Sequence, residues 1–531
     1  MRGIRRINCK PAAPRIGRSV RKPSVAIPTR LRPSSDPSEQ EVKPQGDPGK
    51  ILRLAIPVSL ESVFQMGFNV IDQVIVGLLG ADAVAAVGLS NSIASIALLL
   101  YASTGVGAGV MVARAFGRKD LKEVSQIASA GQGLSGLLGL ITAFLLVWFS
   151  QPLLWMVGAD PKLAGSANGY FQLYAVSIAP MILSAVTSAV FRSLNAPRTP
   201  LIITSAAVAL NTVLGFVLVL GFSPIPSFGV AGAGWATLIS QCARCLALIL
   251  FLYAGKKGVR WVWPLPGSRV GATAGKLLRL TGPIALSEVL WGMSTFIYAV
   301  VFTRLGTTKL AASQIVLSLE SIFIVASAGL APAAVAVIGH ALGVGSPRAA
   351  KASAWLTIRF GLLAGVALGA LYAGSSFLLP AFYPKVGQDV LQLAFWGVLL
   401  MAVTQPAKVL SSVLGNGVLA SGGDTHFVLM GNLTATYAVG LPAAVGLGLL
   451  APFGFFGVFA ARSWRRASRQ LAFCSGSCVL VGMSTPLRRS KAQKTKRSQG
   501  RTEGTNRRGL VQFKPAGKFQ NFELFGETDT G

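Results

Sequence analysis

Residues 53–93 read RLAIPVSLESVFQMGFNVIDQVIVGLLGADAVAAVGLSNSI, and this stretch decides the fold. From Leu54 to Gly77 it is apolar, with no base and only two acids, Glu61 and Asp72. About 20 such residues cross a bilayer as a helix. The pattern recurs down the chain. Apolar runs are expected at 54–77, 84–112, 125–149, 169–191, 200–222, 229–254, 281–303, 309–339, 352–380, 390–415 and 426–450, with a twelfth starting near Phe453. Only helices and closed barrels satisfy their backbone groups in lipid. Gly- and Ala-rich runs of this length without two-residue alternation read as helices.

Composition agrees. Of the 531 residues, 52% are hydrophobic and 13% charged, against about 25% charged in soluble proteins. Residues 51–461 hold only 22 Lys/Arg and 10 Asp/Glu. The net charge of +31 therefore belongs largely to the two ends, residues 1–50 and 462–531. Nucleic-acid binding calls for bases interleaved with aromatics on a folded face, and the first fifty residues contain no aromatic; no nucleic-acid partner is expected. Two His in the chain exclude a His-based zinc site, and Cys242 and Cys245 read as small apolar fillers, so no metal is expected. There is no P-loop and no nucleophile–base pair, so the chain reads neither as an ATP-driven pump nor as an enzyme.

Residues 1–35 carry ten Lys/Arg, no acid and no apolar run. That excludes a secretory signal and fits an organelle transit segment. The expected organisation is a transit-like segment and linker (1–50), a six-helix lobe (51–255), an inter-lobe linker (256–280), a second lobe (281–461) and a basic disordered tail (462–531). Lys/Arg placement orients the bundle. Loops on the side of the N-terminus hold Arg114, Arg118, Lys119, Lys122, Arg192, Arg198 and the basic run 256–279, while the opposite loops hold only Lys162, Arg304, Lys309 and Lys385.

Sliding the chain by 226 residues lays Arg53-Leu54 on Arg279-Leu280, Pro57 on Pro283, Gly80 on Gly306, Gly117 on Gly343 and Thr199 on Thr425. Six helices per half give both halves the same orientation. They are then related by an axis along the membrane normal, with the substrate path between them. The fold class is an all-α polytopic membrane protein of two six-helix lobes.

Intramembrane acids are costly and rarely idle. Four lie well inside spans: Glu61, Asp72, Glu288 and Glu320. Burial disfavours the charged carboxyl, so such a group can load a proton on one side and release it on the other, or balance a cation. For Glu61 and Glu288, stabilisation near a helix start is the plainer reading, and for Asp72 a structural hydrogen bond between helices is the alternative. The turns 192–200 and 421–425 join the fourth and fifth helices of each half and read as gates, hinges or simple turns.

The opening stretch resembles multidrug and toxic compound extrusion (MATE) transporters, whose first helix carries a Pro and then a comparable Asp–Gly–Ala pattern. RLTGPIALSE (279–288), RLGTTKLAASQIV (304–316), ARAFGRKDLKEVSQ (113–126), ALNTVLGFVLVLGF (209–222), FGVAGAGWATLISQ (228–241) and ASGGDT (420–425) resemble further family segments, in the family's order. The resemblance covers about residues 51–460. It implies an antiporter that exports organic compounds in exchange for H⁺ or Na⁺, with no other cofactor and a small organic substrate, acting as a monomer in a lipid bilayer. Within the family the chain resembles the DinF-like branch and plant or algal DETOXIFICATION-type proteins. Asp72 then occupies the place of the coupling acid and Asn211 that of its helix-5 partner. Gly215 stands where a second acid is common. Trp291 stands where other branches carry a helix-7 Glu, with Glu288 one turn earlier, and Gln314 matches a common helix-8 Gln. The basic N-terminus and this branch together point to a plastid inner envelope, with mitochondrial or plasma membrane as alternatives. A major facilitator transporter is the runner-up, since GVMVARAFGRK (109–119) is similar to that family's loop motif but lacks its Asp. A non-transporting membrane protein is the third reading.

The twelfth helix is expected to fail. Arg462, Arg465, Arg466 and Arg469 follow FGFFGVFAA (453–461) directly. Four Arg in lipid cost roughly 10 kcal/mol on insertion scales, so residues from Arg462 onward are expected to be unpacked.

Overall fold

A computed structural model describes residues 48–156, 161–221, 226–255, 258–262, 269–383 and 386–480. Twelve long helices are present among them and no strand. In the first half they are α1 (Pro48–Gly77), α2 (Ala81–Gly117), α3 (Leu121–Trp148), α4 (Pro161–Ser193), α5 (Arg198–Leu220) and α6 (Val230–Tyr253). In the second they are α7 (Arg269–Arg304), α8 (Thr307–Gly343), α9 (Pro347–Phe382), α10 (Gln388–Gly422), α11 (Thr425–Leu450) and α12 (Gly454–Leu480). Among the described residues, nine of these helices, or ten with the bent α10 taken as one span, are long and apolar enough to cross a membrane. The eleven expected spans each fall on one helix.

The 226-residue repeat is built into the backbone. Gly80 and Gly306 precede α2 and α8 with φ of 115° and 104°, values that favour glycine. Asp120 and Ser346 cap α3 and α9, each accepting a backbone N–H three residues on, at 2.9 and 3.3 Å; such caps satisfy otherwise unpaired first-turn donors. Pro57 and Pro283 lie inside α1 and α7, each removing one helical donor. Gly117 and Gly343 meet across the lobes: a Cβ on either would come within 2.9 Å of the other's Cα. Small residues let helices approach this closely in a membrane.

Two expectations are corrected. The segment 256–280 is not wholly a linker, because α7 begins at Arg269. Its buried Leu277 packs with Ala108 of α2 and Val186 of α4, so the first turns of α7 lie on the N-terminal lobe. More sharply, α12 does not stop at Arg462 but continues to Leu480. Arg462, Arg465 and Arg466 are buried within the C-terminal lobe, and Phe473 is buried against α8, α9 and α10 residues such as Ala334, Ala354 and Leu414. The insertion cost was reckoned against lipid, whereas these guanidiniums face protein. The tail beyond Leu480 and the transit-like segment lie outside the described residues.

Candidate functional site

Three buried polar clusters and one cavity follow from where the lone charges of the apolar helices fall. The first is centred on Asp72 of α1, which is 1% exposed. Asn211 of α5 donates its amide to Oδ1 at 2.8 Å, and Thr237 of α6 donates its hydroxyl to Oδ2 at 2.7 Å. Around them, Ile75, Val76, Tyr170, Tyr174 and Val219 form an apolar cluster. Both of the carboxylate's partners are neutral, so among the described residues its charge is held by hydrogen bonds and by no ion pair. The Asn211 Oδ1 has no partner among the described residues. An amide offers both a donor and an acceptor; rotated, it would accept from a protonated Asp72. Gly215 leaves no second acid, and the Ile75 side chain fills that side: a Cβ on Gly215 would come 2.8 Å from its Cδ1.

The second cluster ties α1 to α4 and α6. Glu61, fully buried, pairs with Arg192 at 3.3 Å and Arg244 at 3.5 Å. Arg244 also donates to Thr204 at 3.0 Å. Since α1 starts at Pro48, Glu61 lies more than three turns in. The helix-start reading is thereby overturned, and its charge is balanced by guanidiniums. Glu288 likewise lies deep in α7, which begins at Arg269.

The third cluster holds α12 in place. Glu320 of α8 accepts from Lys408 of α10 and from Arg466 of α12, each at 2.7 Å. The α10 helix bends by 48° at Thr404, between Val403 and Gln405, where Pro406 has no N–H to offer. At this break the Thr404 hydroxyl accepts from Arg466 at 2.6 Å. Arg462, one turn before Arg466, and its neighbour Arg465 stack on the ring of Tyr298 at 5.1 and 5.4 Å. The repeat places Tyr298 where the first lobe has Asp72, so a neutral ring with two guanidiniums over it stands where the first lobe has a carboxylate.

Between the lobes lies a cavity of about 490 Å³, within the range of small-molecule sites. Gln65 of α1, Arg192 of α4, Glu288 and Trp291 of α7, Lys408 of α10 and Arg469 of α12 line it, with apolar wall from Val106, Ala189, Ile324, Val335 and Phe473. Gln65 stands two turns before Asp72 on the same face of α1. Arg469 donates to Asn432 at 3.3 Å, which in turn donates to Ser287. Towards the N-terminal side the cavity closes. Its lining reaches Gly109 on α2 and Val335 on α8; beyond these, Ala113 meets Gly339 and Gly117 meets Gly343. The Arg114 guanidinium donates across the lobes to the Ser421 carbonyl, and the Gly329 N–H to the Ser59 hydroxyl at 3.1 Å.

Of the residues singled out in the sequence, Asp72 and Asn211 are brought together, Glu288 reaches the cavity, and Glu61 and Glu320 stand behind it in ion pairs. Gln314 is exposed and does not line the cavity. Sequence reasoning missed Thr237, Tyr298, Arg244 and Lys408. The last two had a signal, because a lone base in an apolar run is as costly as a lone acid.

The MatE family model matches residues 57–217 and 283–445, one block in each lobe. The chain is 27% identical over 449 residues to the probable multidrug resistance protein NorM of Bradyrhizobium diazoefficiens, covering 81% of this chain and 91% of that one. It is 25% identical over 410 residues to the multidrug resistance protein PmpM of Pseudomonas aeruginosa, covering 75% and 84%. Its fold matches a crystal structure of a MATE protein in the bent conformation with a TM-score of 0.74, at 20% identity, covering 85% of this chain and 97% of the other. An outward-facing multidrug resistance MATE transporter of the MOP superfamily matches with a TM-score of 0.74 at 21% identity, covering 83% and 98%. With family blocks spanning more than half its length, one in each lobe, the chain belongs to the MatE family of multi-pass membrane transporters.

Proposed function

We propose that this protein is a secondary antiporter that exports small organic compounds in exchange for protons, with Asp72 as the proton carrier. The observation that carries the reading is Asp72 itself. It is a buried carboxyl held by two neutral donors, two turns from cavity-lining Gln65, with an unused acceptor on Asn211 ready for the protonated form. Glu61 and Glu320 are less suited, because each is already held in ion pairs with two bases. The relatives' names as multidrug resistance proteins support an organic substrate. Protonation of Asp72 removes the charge that Asn211 and Thr237 bind and loosens the joint of α1, α5 and α6. Reionisation restores it, so that substrate and proton alternate.

The experiment is transport in proteoliposomes under an imposed pH gradient or an imposed Na⁺ gradient. A pH gradient alone should drive accumulation in the wild type and fail in Asp72→Asn, with the variant still inserted. Drive by Na⁺ alone would replace the proton by sodium, and full transport by Asp72→Asn would remove Asp72 from the mechanism. The basic residues 1–35 further support delivery to a plastid envelope. Fusing residues 1–50 to a fluorescent protein tests this: plastid import is expected, and diffuse cytosolic signal would overturn it.

A further inference from the structure

The interlobe cavity has a definite electrostatic sign. Three bases line it, Arg192, Lys408 and Arg469, against one acid among the described residues, Glu288. The acids behind it do not redress the balance. Glu61 is shared by Arg192 and Arg244, and Glu320 by Lys408 and Arg466. Arg462 and Arg465 add two further buried bases on Tyr298. Counting Asp72, seven bases in and around the cavity meet four acids. Buried charge of one sign raises the potential of a cleft and selects counter-charged ligands.

The lining also holds unused donors. Gln405 is fully buried on the cavity wall, and neither atom of its amide has a partner among the described residues. The Nε of Arg469 and of Arg192 are unpartnered as well. Buried polar groups ordinarily find partners, so the three N–H groups ask for an acceptor from the cavity side, and the Gln405 Oε1 for a donor. Trp291 and Phe473 supply aromatic wall beside them.

We propose that the transported compound is an organic anion, a ring system bearing a carboxylate, sulfonate or phosphate, its acidic group held by Arg469, Lys408 and Gln405 and its rings against Trp291 and Phe473. This rests on the antiport reading and sharpens it. It also has an energetic consequence. Export of an anion against an entering proton moves net positive charge inward, so a membrane potential negative inside adds to the driving force; one-for-one exchange of a cation with a proton moves none.

The test uses the full chain in phosphatidylcholine liposomes, acidic inside, with two fluorescent probes of opposite charge, naphthalenesulfonate and ethidium. Naphthalenesulfonate should accumulate at least about tenfold faster than ethidium, one charge-assisted contact being worth that much. Its uptake should rise when potassium and valinomycin set the interior positive. Arg469→Gln should raise its KM about tenfold, and Gln405→Glu should shift the preference towards ethidium. Ethidium uptake without naphthalenesulfonate uptake would overturn the anion assignment and leave antiport standing. Naphthalenesulfonate uptake indifferent to the pH gradient would do the reverse. Movement of neither probe would overturn both.

Discussion

Replacing Glu320 with glutamine removes an acid that two bases share in the C-terminal lobe. Lys408 and Arg466 each reach Glu320 at 2.7 Å, and Glu320 is 2% exposed. Breaking a buried ion pair from one side costs about 3–5 kcal/mol, because the remaining charge stays desolvated. Here two charges remain, with Arg462 and Arg465 close by on Tyr298. Multi-span proteins unfold irreversibly, so the sensible readout is a lifetime at elevated temperature in detergent. If the contact is already broken in the unfolding transition state, 3 kcal/mol shortens that lifetime roughly a hundredfold. Lys408→Met should be milder, at about 1–3 kcal/mol, since it removes one charge-assisted hydrogen bond and leaves the Glu320–Arg466 pair intact. The double variant Glu320→Gln with Arg466→Gln should recover part of the loss, giving a coupling energy of about 1–3 kcal/mol. Wild-type lifetimes for Glu320→Gln and for Arg466→Gln, with strict additivity, would refute the reasoning, for they would mean that α12 is not seated in the lobe at all.

Three further outcomes follow from the same geometry. Gly117→Val should obstruct closure of the N-terminal side, because a side chain there runs into the backbone of α8 near Gly343; labelling of a cysteine placed on the cavity wall from that side should increase. Asn211→Ala should slow pH-driven transport less than Asp72→Asn, as the amide orients the carboxyl without carrying the proton. Ending the chain before Ser463 should sharply lower the amount of folded protein in the membrane, since it deletes Arg466 and the buried Phe473.

The span pattern was legible because apolar length is a local property, and eleven runs fell on eleven helices. The repeat was legible too, and the paired caps at Asp120 and Ser346 and the Gly117–Gly343 contact give it physical content. What escaped were partners far apart in sequence. Arg466 looked impossible in lipid because its acid, Glu320, lies 146 residues upstream. Glu61 looked like helix-start stabilisation because Arg192 and Arg244 are more than a hundred residues away. The bases at Arg269, Lys276 and Arg279 read as a loop, although the amphipathic turn around Leu277 docks on the other lobe. Asp72 was found on its own burial cost, whereas Asn211 was reached only through resemblance and Thr237 not at all, since one hydroxyl in an apolar helix carries no distinguishing signal.

In the proposed antiport, proton movement through Asp72 is coupled to substrate movement. The direct measurement is proton flux itself, read by a pH-sensitive dye trapped in proteoliposomes when substrate is added outside. The wild type should show proton efflux in step with substrate uptake, and Asp72→Asn should show none while still binding substrate. Substrate uptake with no accompanying proton signal in the wild type, or an undiminished signal in Asp72→Asn, would contradict it.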